Sequence, residues 1–389
     1  MQNTDVFAGN RCAINDNKKG TMKTVQDKII RVGIAGQGRS GYNIHAQCLI
    51  NKPDQFKIAA VADQLAERRR DAKVQFGARV YNDYSGLIRA GGFDLFVNAL
   101  PSPLHVPVTI QALKAGYHVV CEKPMAKSAA EFDRMTLAAK KTGFLLAPFQ
   151  NSRLQPFFDK ILEVVNSGIL GEIIYIRSNW SHFARRWDWQ TFQKNMGGCL
   201  FNTGPHAIDQ ALMLFPTYVK PGVFCRMECK NKLGGDANDF CALTIYGPKA
   251  PTIEINISQY QAHPSAERYN IAGTLGGLSG GELELRWKYY DPRKAPKHKF
   301  WTKWSVNREY PHETLPWVEK EWKIEEEQAK KATGYTLKSF SSGPERFYNN
   351  VYNVLHGKEK LLITQPQVRR QIAILEEAHR QNKLPIKKT

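Results

Sequence analysis

The chain has 389 residues, 42% hydrophobic and 23% charged, with a formal charge of +19. That length calls for two cores of ordinary size, and the composition is that of a globular protein. No apolar run reaches the ~20 residues a bilayer needs, no signal-like apolar core stands near the start, and the cationic residues are dispersed without a nucleic-acid module, so neither membrane nor nucleic acid is an expected partner.

Residues 1–28 are polar and lack any hydrophobic period, which predicts a disordered extension. Met22 opens a stretch that looks like the start of a nucleotide-binding fold. From Ile29 the pattern changes. Short apolar runs at Ile29–Ala35, Ile58–Ala62, Leu95–Ala99, His118–Cys121 and Phe144–Ala147 alternate with helical stretches at Ala66–Phe76, Val106–Ala115 and Ala129–Lys141. Strands alternating with helices predict a parallel sheet covered on both faces, an α/β Rossmann domain over 29–150. Gly77, Gly116 and Gly143 each follow a helical run, where a left-handed cap is wanted.

After residue 150 the rhythm breaks, and a second domain over 151–389 is expected. One helix at Pro156–Ser167 precedes longer alternating segments at Ile173–His182, Val223–Lys230, Asp239–Tyr246, Thr252–Gln261 and Arg268–Leu275, which predict an antiparallel or mixed sheet and an α+β class. All eight tryptophans lie in this half. Residues 286–342 show no period and read as a long, partly ordered insertion. Two amphipathic helices over 344–381 close the chain, with Gly357 ending the first and Thr364 capping the second. Seven scattered cysteines with no CxxC pair argue for reduced thiols in a cytoplasmic protein and against a metal site.

Gly36-Gln37-Gly38-Arg39-Ser40-Gly41 follows the first strand and enters the helical segment His45–Ile50. Gly36 permits the tight turn, Gly38 lets backbone approach a pyrophosphate, and Gly41 permits close helix–sheet packing; the helix start offers free N–H groups to the anion. Asp63 ends the next strand, where a carboxylate accepts from ribose hydroxyls and repels a 2′-phosphate, so NAD is favoured over NADP. Arg68, Arg69 and Arg70 either form a solvated helix face or flank the adenine and a phosphate.

Two further groupings carry chemistry. Glu122-Lys123-Pro124 stands at the carboxyl end of a predicted strand, where ligands of open α/β sheets bind, and an ammonium there favours a developing alkoxide. In Gly204-Pro205-His206-Ala207-Ile208-Asp209, Pro205 suits the first helical position and His206 falls in the first turn, where the helix dipole disfavours imidazolium. Asp209, three residues on, is placed to orient that ring, and Asn202 lies four residues before it.

With these pieces together, the chain resembles the Gfo/Idh/MocA oxidoreductase family from about Ile29 onward. The resemblance rests on the glycine motif, Ala99–His105, Ala115–Val119, Glu122–Pro124, Gly204–Asp209 and the strand segment Ile271–Leu278. It implies a second domain with a large open, mostly antiparallel sheet, a homodimer or homotetramer, and Lys123 and His206 flanking a carbohydrate hydroxyl beside the nicotinamide. It also implies that Leu100, Pro101, His105, Glu122 and Gln150 line the cofactor. Many polyol-oxidising relatives have Asp where this chain has Asn202, which puts a proton relay through that position in doubt. The run Arg185-Arg186-Trp187-Asp188-Trp189-Gln190 is similar to bacterial sugar dehydrogenases, and Arg185, Arg186, Trp189 and Gln190, with Asn202 and Asp209, are expected at the substrate: Trp stacks on a sugar face while polar side chains bond its hydroxyls. The function this implies is NAD-dependent oxidation of a ring hydroxyl, C3 the best guess, of a sugar, sugar acid or glycoside. The alternatives are a redox-neutral NAD-dependent glycosidase and a non-catalytic NAD-binding regulator.

Overall fold

A computed structural model describes Lys23 and residues 29–263, 267–300, 310–324 and 342–386; the expected 1–28 extension otherwise lies outside the described residues, as does part of 286–342. Six parallel strands form the first sheet: β1 Ile30–Ala35, β2 Phe56–Ala62, β3 Arg79–Tyr81, β4 Leu95–Asn98, β5 His118–Cys121 and β6 Leu146–Pro148, in the order β3-β2-β1-β4-β5-β6. The chain order reverses between β1 and β4, so a crevice opens at their carboxyl ends. Helices cover both faces. They are α1, which runs as a π-turn over Gly41–Ala46 and continues over Gln47–Ile50, then α2 Ala66–Phe76, α3 Tyr84–Ala90, α4 His105–Lys114 and α5 Ala129–Thr142. Gly77 and Gly143 do end α2 and α5 at φ of 63° and 74°. β3 and α3 carry too few apolar residues to announce themselves; Asp83 supplies the start of α3 by accepting from Gly86 N–H at 2.8 Å.

The second sheet has eight strands: β7 Ile173–Asn179, β8 Gly222–Glu228, β9 Phe240–Tyr246, β10 Thr252–Ser258, β11 Tyr269–Gly273, β12 Gly276–Gly280, β13 Glu284–Tyr289 and β14 Val318–Lys323. Their order is β14-β13-β12-β11-β7-β10-β9-β8, antiparallel except where β7 pairs β10. One face buries Ile176, Leu243, Ile253, Ile255, Ile271 and Leu278 against α6 Pro156–Asn166, α7 Cys199–Asn202 and α8 Gly204–Met213. The opposite face is open, with a groove of about 1070 Å³ beside Lys288 and Trp317.

Two expectations are corrected here. The strand segment Ile271–Leu278 is a hairpin, β11 and β12 joined through Thr274 and Leu275. The 286–342 stretch contains the end of β13 and all of β14; β14 is an edge strand, mostly exposed, so it has no apolar alternation to read.

Two closing helices, α9 Ser342–Leu355 and α10 Gln365–Gln381, tie the layers together. Phe347, Tyr348 and Val351 of α9 enter the core of the first sheet, whereas α10 gives Val368 and Ile372 to that core and Ile374, Leu375 and Ala378 to the second. Among the described residues no helix is long and apolar enough to cross a membrane.

Candidate active site

The glycine turn leaves β1 with Gly36 at φ 92°, a conformation L side chains rarely adopt, and a Cβ there would strike the Ala99 carbonyl. A Cβ on Gly41 would run into the Gly36 carbonyl oxygen, so α1 sits directly on the turn. Gly38 differs: a Cβ there would meet nothing nearer than Arg68 Nη1 at 3.8 Å, leaving its backbone open to a cleft of about 620 Å³. Gly36, Gly38, Arg39, Ser40, Asp63, Leu100, Pro101, His105, Glu122 and Lys123 line that cleft. The Asp63 carboxylate accepts from Gln37 N–H (2.8 Å) and Leu65 N–H (2.9 Å), with Arg68 Nη1 at 3.4 Å, and retains acceptor capacity for a diol. An open glycine backbone at a helix start, with a carboxylate one strand away, fits a dinucleotide.

Two expected cofactor contacts fall elsewhere. Gln37 is buried, its amide folded back on the Gly36 carbonyl, and only its backbone N–H works, holding Asp63. Gln150 is also buried and donates to the Pro205 carbonyl at 2.5 Å, a carbonyl that also receives Gln371; it braces the start of α8 instead of facing the cleft.

At the end of β5, Lys123 Nζ donates to the Asn202 carbonyl oxygen at 2.8 Å, which brings α7 against the Rossmann crevice. The Lys123–Pro124 peptide is cis. Burial lowers the ammonium's pKa below the lysine range; Glu122 opposes this, while Arg39 and Arg186 add to it. His206, in the first turn of α8, is neutral. Burial, with the charges of Lys123, Arg268 and Arg39 against that of Glu122, pushes its pKa down to about 3. Its Nδ1 is buried without a hydrogen-bond partner among the described residues.

Asp209 does not orient His206. It is fully buried and bound bidentately by Arg153, at 2.8 Å from Nε and 2.5 Å from Nη2, and Arg153 Nη1 donates to Gln367 at 2.6 Å. The i, i+3 spacing was legible, but the guanidinium that takes the carboxylate comes from the segment after β6, and no local pattern marks it.

The segment from Trp180 to Gly198 crosses the cleft. Asn231 donates to the Arg186 carbonyl (2.7 Å), Gln193 N–H to Asp236 (2.7 Å) and Asn195 to the Trp189 carbonyl (2.8 Å), so it is pinned along its length. Arg186, Trp189, Gln190 and Asn202 line the cleft. Arg186 pairs with Asp188 and donates to Gln190 Oε1 at 2.6 Å. Arg185 is exposed and outside the lining. Asp188, the acid of the run expected to bond hydroxyls, also lines it; Asn82 and Tyr84 line it too and were not expected, because they flank a strand too short to see.

This fold and crevice define an NAD-binding oxidoreductase. The chain belongs to the Gfo/Idh/MocA family: residues 30–149 match its oxidoreductase domain with an NAD-binding Rossmann fold, and residues 158–279 its C-terminal domain. It is similar to the scyllo-inositol 2-dehydrogenase (NADP(+)) IolW of Bacillus subtilis, 28% identical over 65% of this chain and 72% of that one. It is also similar to the D-glucoside 3-dehydrogenase of Escherichia coli, 28% identical over 47% and 53%. In fold it matches the WlbA dehydrogenase of Bordetella pertussis, solved in complex with NADH and UDP-GlcNAcA, at a TM-score of 0.70 and 23% identity over 92% and 96% of the two chains.

Proposed function

We propose that the protein oxidises a ring hydroxyl of a sugar, sugar acid or glycoside, with C3 as the reacting carbon. The observation that carries this is the pairing of a cleft-lining ammonium, Lys123, with a neutral imidazole, His206, that lies in the ammonium's field. Bound NAD+ supplies the hydride acceptor. Lys123 donates to the substrate hydroxyl and stabilises the alkoxide character that grows as the carbon–hydrogen bond breaks. His206 takes the hydroxyl proton, and its low basicity is offset because the ammonium acidifies that same hydroxyl. The carbon–oxygen double bond forms as the hydride departs, so the substrate loses two electrons and one proton reaches the imidazole. Asn202 cannot relay that proton onward as a carboxylate would; its backbone carbonyl instead fixes Lys123. Trp189 offers a face for the sugar's C–H groups, and Arg186, Asp188 and Gln190 offer polar contacts to its hydroxyls. The similarity to inositol 2- and D-glucoside 3-dehydrogenases supports a carbohydrate substrate. The open face of the second sheet is the surface we assign to a homodimer or homotetramer, which sedimentation measures directly.

The test is NADH formation at 340 nm over sugars, aldonates, inositols and glycosides, with the oxidised carbon read by NMR. A 3-keto product is expected. Absence of NADH with every carbohydrate, from protein that binds NAD, would overturn the reading.

A further inference from the structure

Behind Lys123 lies a buried polar chain that the proposed mechanism does not use. Tyr348 of α9 is fully buried, and its hydroxyl stands 2.7 Å from His45 Nδ1. His45 of α1 has no exposed surface, and its Nε2 lies 3.2 Å from Glu122 Oε1. The other carboxylate oxygen, Oε2, accepts the Lys123 backbone N–H at 2.9 Å. In the neutral ring this order is directional: Tyr348 donates to Nδ1, and Nε2–H donates to Glu122. Tyr348 and His45, from two helices distant in sequence, are therefore linked in series to one carboxylate through buried hydrogen bonds.

We propose that His45 and Tyr348 are positioning residues: they hold the Glu122 carboxylate in place, and Glu122 in turn fixes the Lys123 backbone and balances its ammonium. The inference rests on the role given to Lys123 above. The charge environment agrees with the geometry. Burial alone pushes the Glu122 carboxyl up, yet the hydrogen bond from His45, with the nearby Lys123 ammonium, outweighs it and holds the group down at about 2. Glu122 raises the Lys123 pKa, whereas Arg39 and Arg186 lower it. His206 also faces Glu122, and Tyr348 faces Cys48 and Glu122. Removing the His45 donor leaves a buried carboxylate short of its main partner, so it takes up a proton and Lys123 loses its counter-charge. The ammonium then deprotonates at lower pH.

The experiment compares His45→Leu, His45→Gln and Tyr348→Phe with the parent. Tyr348→Phe keeps the ring among Phe56, Phe149 and Phe347, so its fold is preserved. The first readout is the Glu122 carboxyl 13C signal of the cofactor-free protein, identified by its loss in Glu122→Gln. It is expected to stay ionised from about pH 5 to about pH 9 in the parent and to titrate within that range in His45→Leu. The second is turnover on the substrate found above. His45→Leu is expected to lose about ten-fold in kcat and to move the alkaline limb down by about one pH unit, with NAD affinity unchanged; Tyr348→Phe shifts less, and His45→Gln, which retains an N–H donor, recovers part of the loss. An unmoved carboxyl signal and an unmoved limb in both His45→Leu and Tyr348→Phe would overturn the inference while Lys123→Ala remains inactive. Full turnover in Lys123→Ala would instead overturn the role of Lys123, and the Glu122 signal alone would then decide whether the chain fixes that carboxylate.

Discussion

Helix α8 carries two ionisable side chains one turn apart, and they have opposite fates. Asp209 is buried and paired on both oxygens: Arg153 grips each of them, and Gln367 takes the remaining arm of the guanidinium. His206 has a buried ring nitrogen without a partner among the described residues, and it faces the field of an ammonium that lines a cleft. Both sites remove polar atoms from water, at a cost that hydrogen bonds must offset. What separates them is unmet bonding capacity at the His206 ring nitrogen. The first arrangement holds the helix in place, and the second leaves a ring nitrogen free for the proton transfer proposed above.

The sharpest way to break that contrast is at Asp209. Asp209→Ala leaves Arg153 buried and uncompensated and is expected to cost about 3–5 kcal/mol of stability, read as a fall in urea midpoint. The double replacement Arg153→Met with Asp209→Leu should recover most of the loss, because apolar pairs of similar volume replace buried ion pairs with little penalty. Recovery of stability without activity would mean that the pair also shapes the site.

His206→Ala and Lys123→Ala should behave the other way. Each is expected to lower kcat by at least ~10²-fold with little change in unfolding midpoint. The same two groups set the pH profile. His206 works as the neutral ring, which is lost as pH falls through about 3. Lys123 works as the ammonium, which is lost as pH rises through a value lowered from the lysine range. The profile of kcat/KM for the free enzyme should therefore stay flat across neutrality and fall on the alkaline side below ~10.4. A steep acid limb near neutrality that vanishes in a His206 variant would contradict the depressed pKa of that ring while keeping it as the base.

A smaller effect tests the cofactor end. Gly38→Val places methyl groups over the only glycine of the motif whose Cβ direction is open, and NAD should bind at least ~10-fold more weakly with stability nearly unchanged. Gly41→Ala should instead compromise folding, since its Cβ meets backbone.

Much of this was legible from the chain because its physics is local. Strand, glycine turn, helix, strand and acid stand in order from Ile30 to Asp63, and each signal occupies a few consecutive residues. Lys123 and His206 were readable for the same reason, one at a strand end and one behind a proline at a helix start. What escaped was tertiary. Arg153 reaches Asp209 across 56 positions, and Tyr348 reaches His45 across 303. A guanidinium or a tyrosine hydroxyl has no period that reveals its partner. Gln37 and Gln150 were misplaced by proximity to motifs: each sits in the right turn, but its amide is consumed by a neighbouring carbonyl. Strands β12 and β14 were obscured by composition, one rich in glycine and the other in charge.

The finest form of the comparison is between adjacent residues, Arg185 and Arg186. Residue type and position predicted the same role for both. The two differ in whether they face the cleft. Arg186 does, folded against Asp188 and Gln190 with its charge reaching Lys123. Arg185 is exposed and does not line the cleft. Arg186→Ala should raise the substrate KM about five-fold, and it should also lift the alkaline limb slightly, because a cation that lowers the Lys123 pKa is gone. Arg185→Ala should leave KM, kcat and the limb unchanged. Equal effects from the two substitutions would mean that the segment rearranges when substrate enters, and the cleft described above would then be its open form.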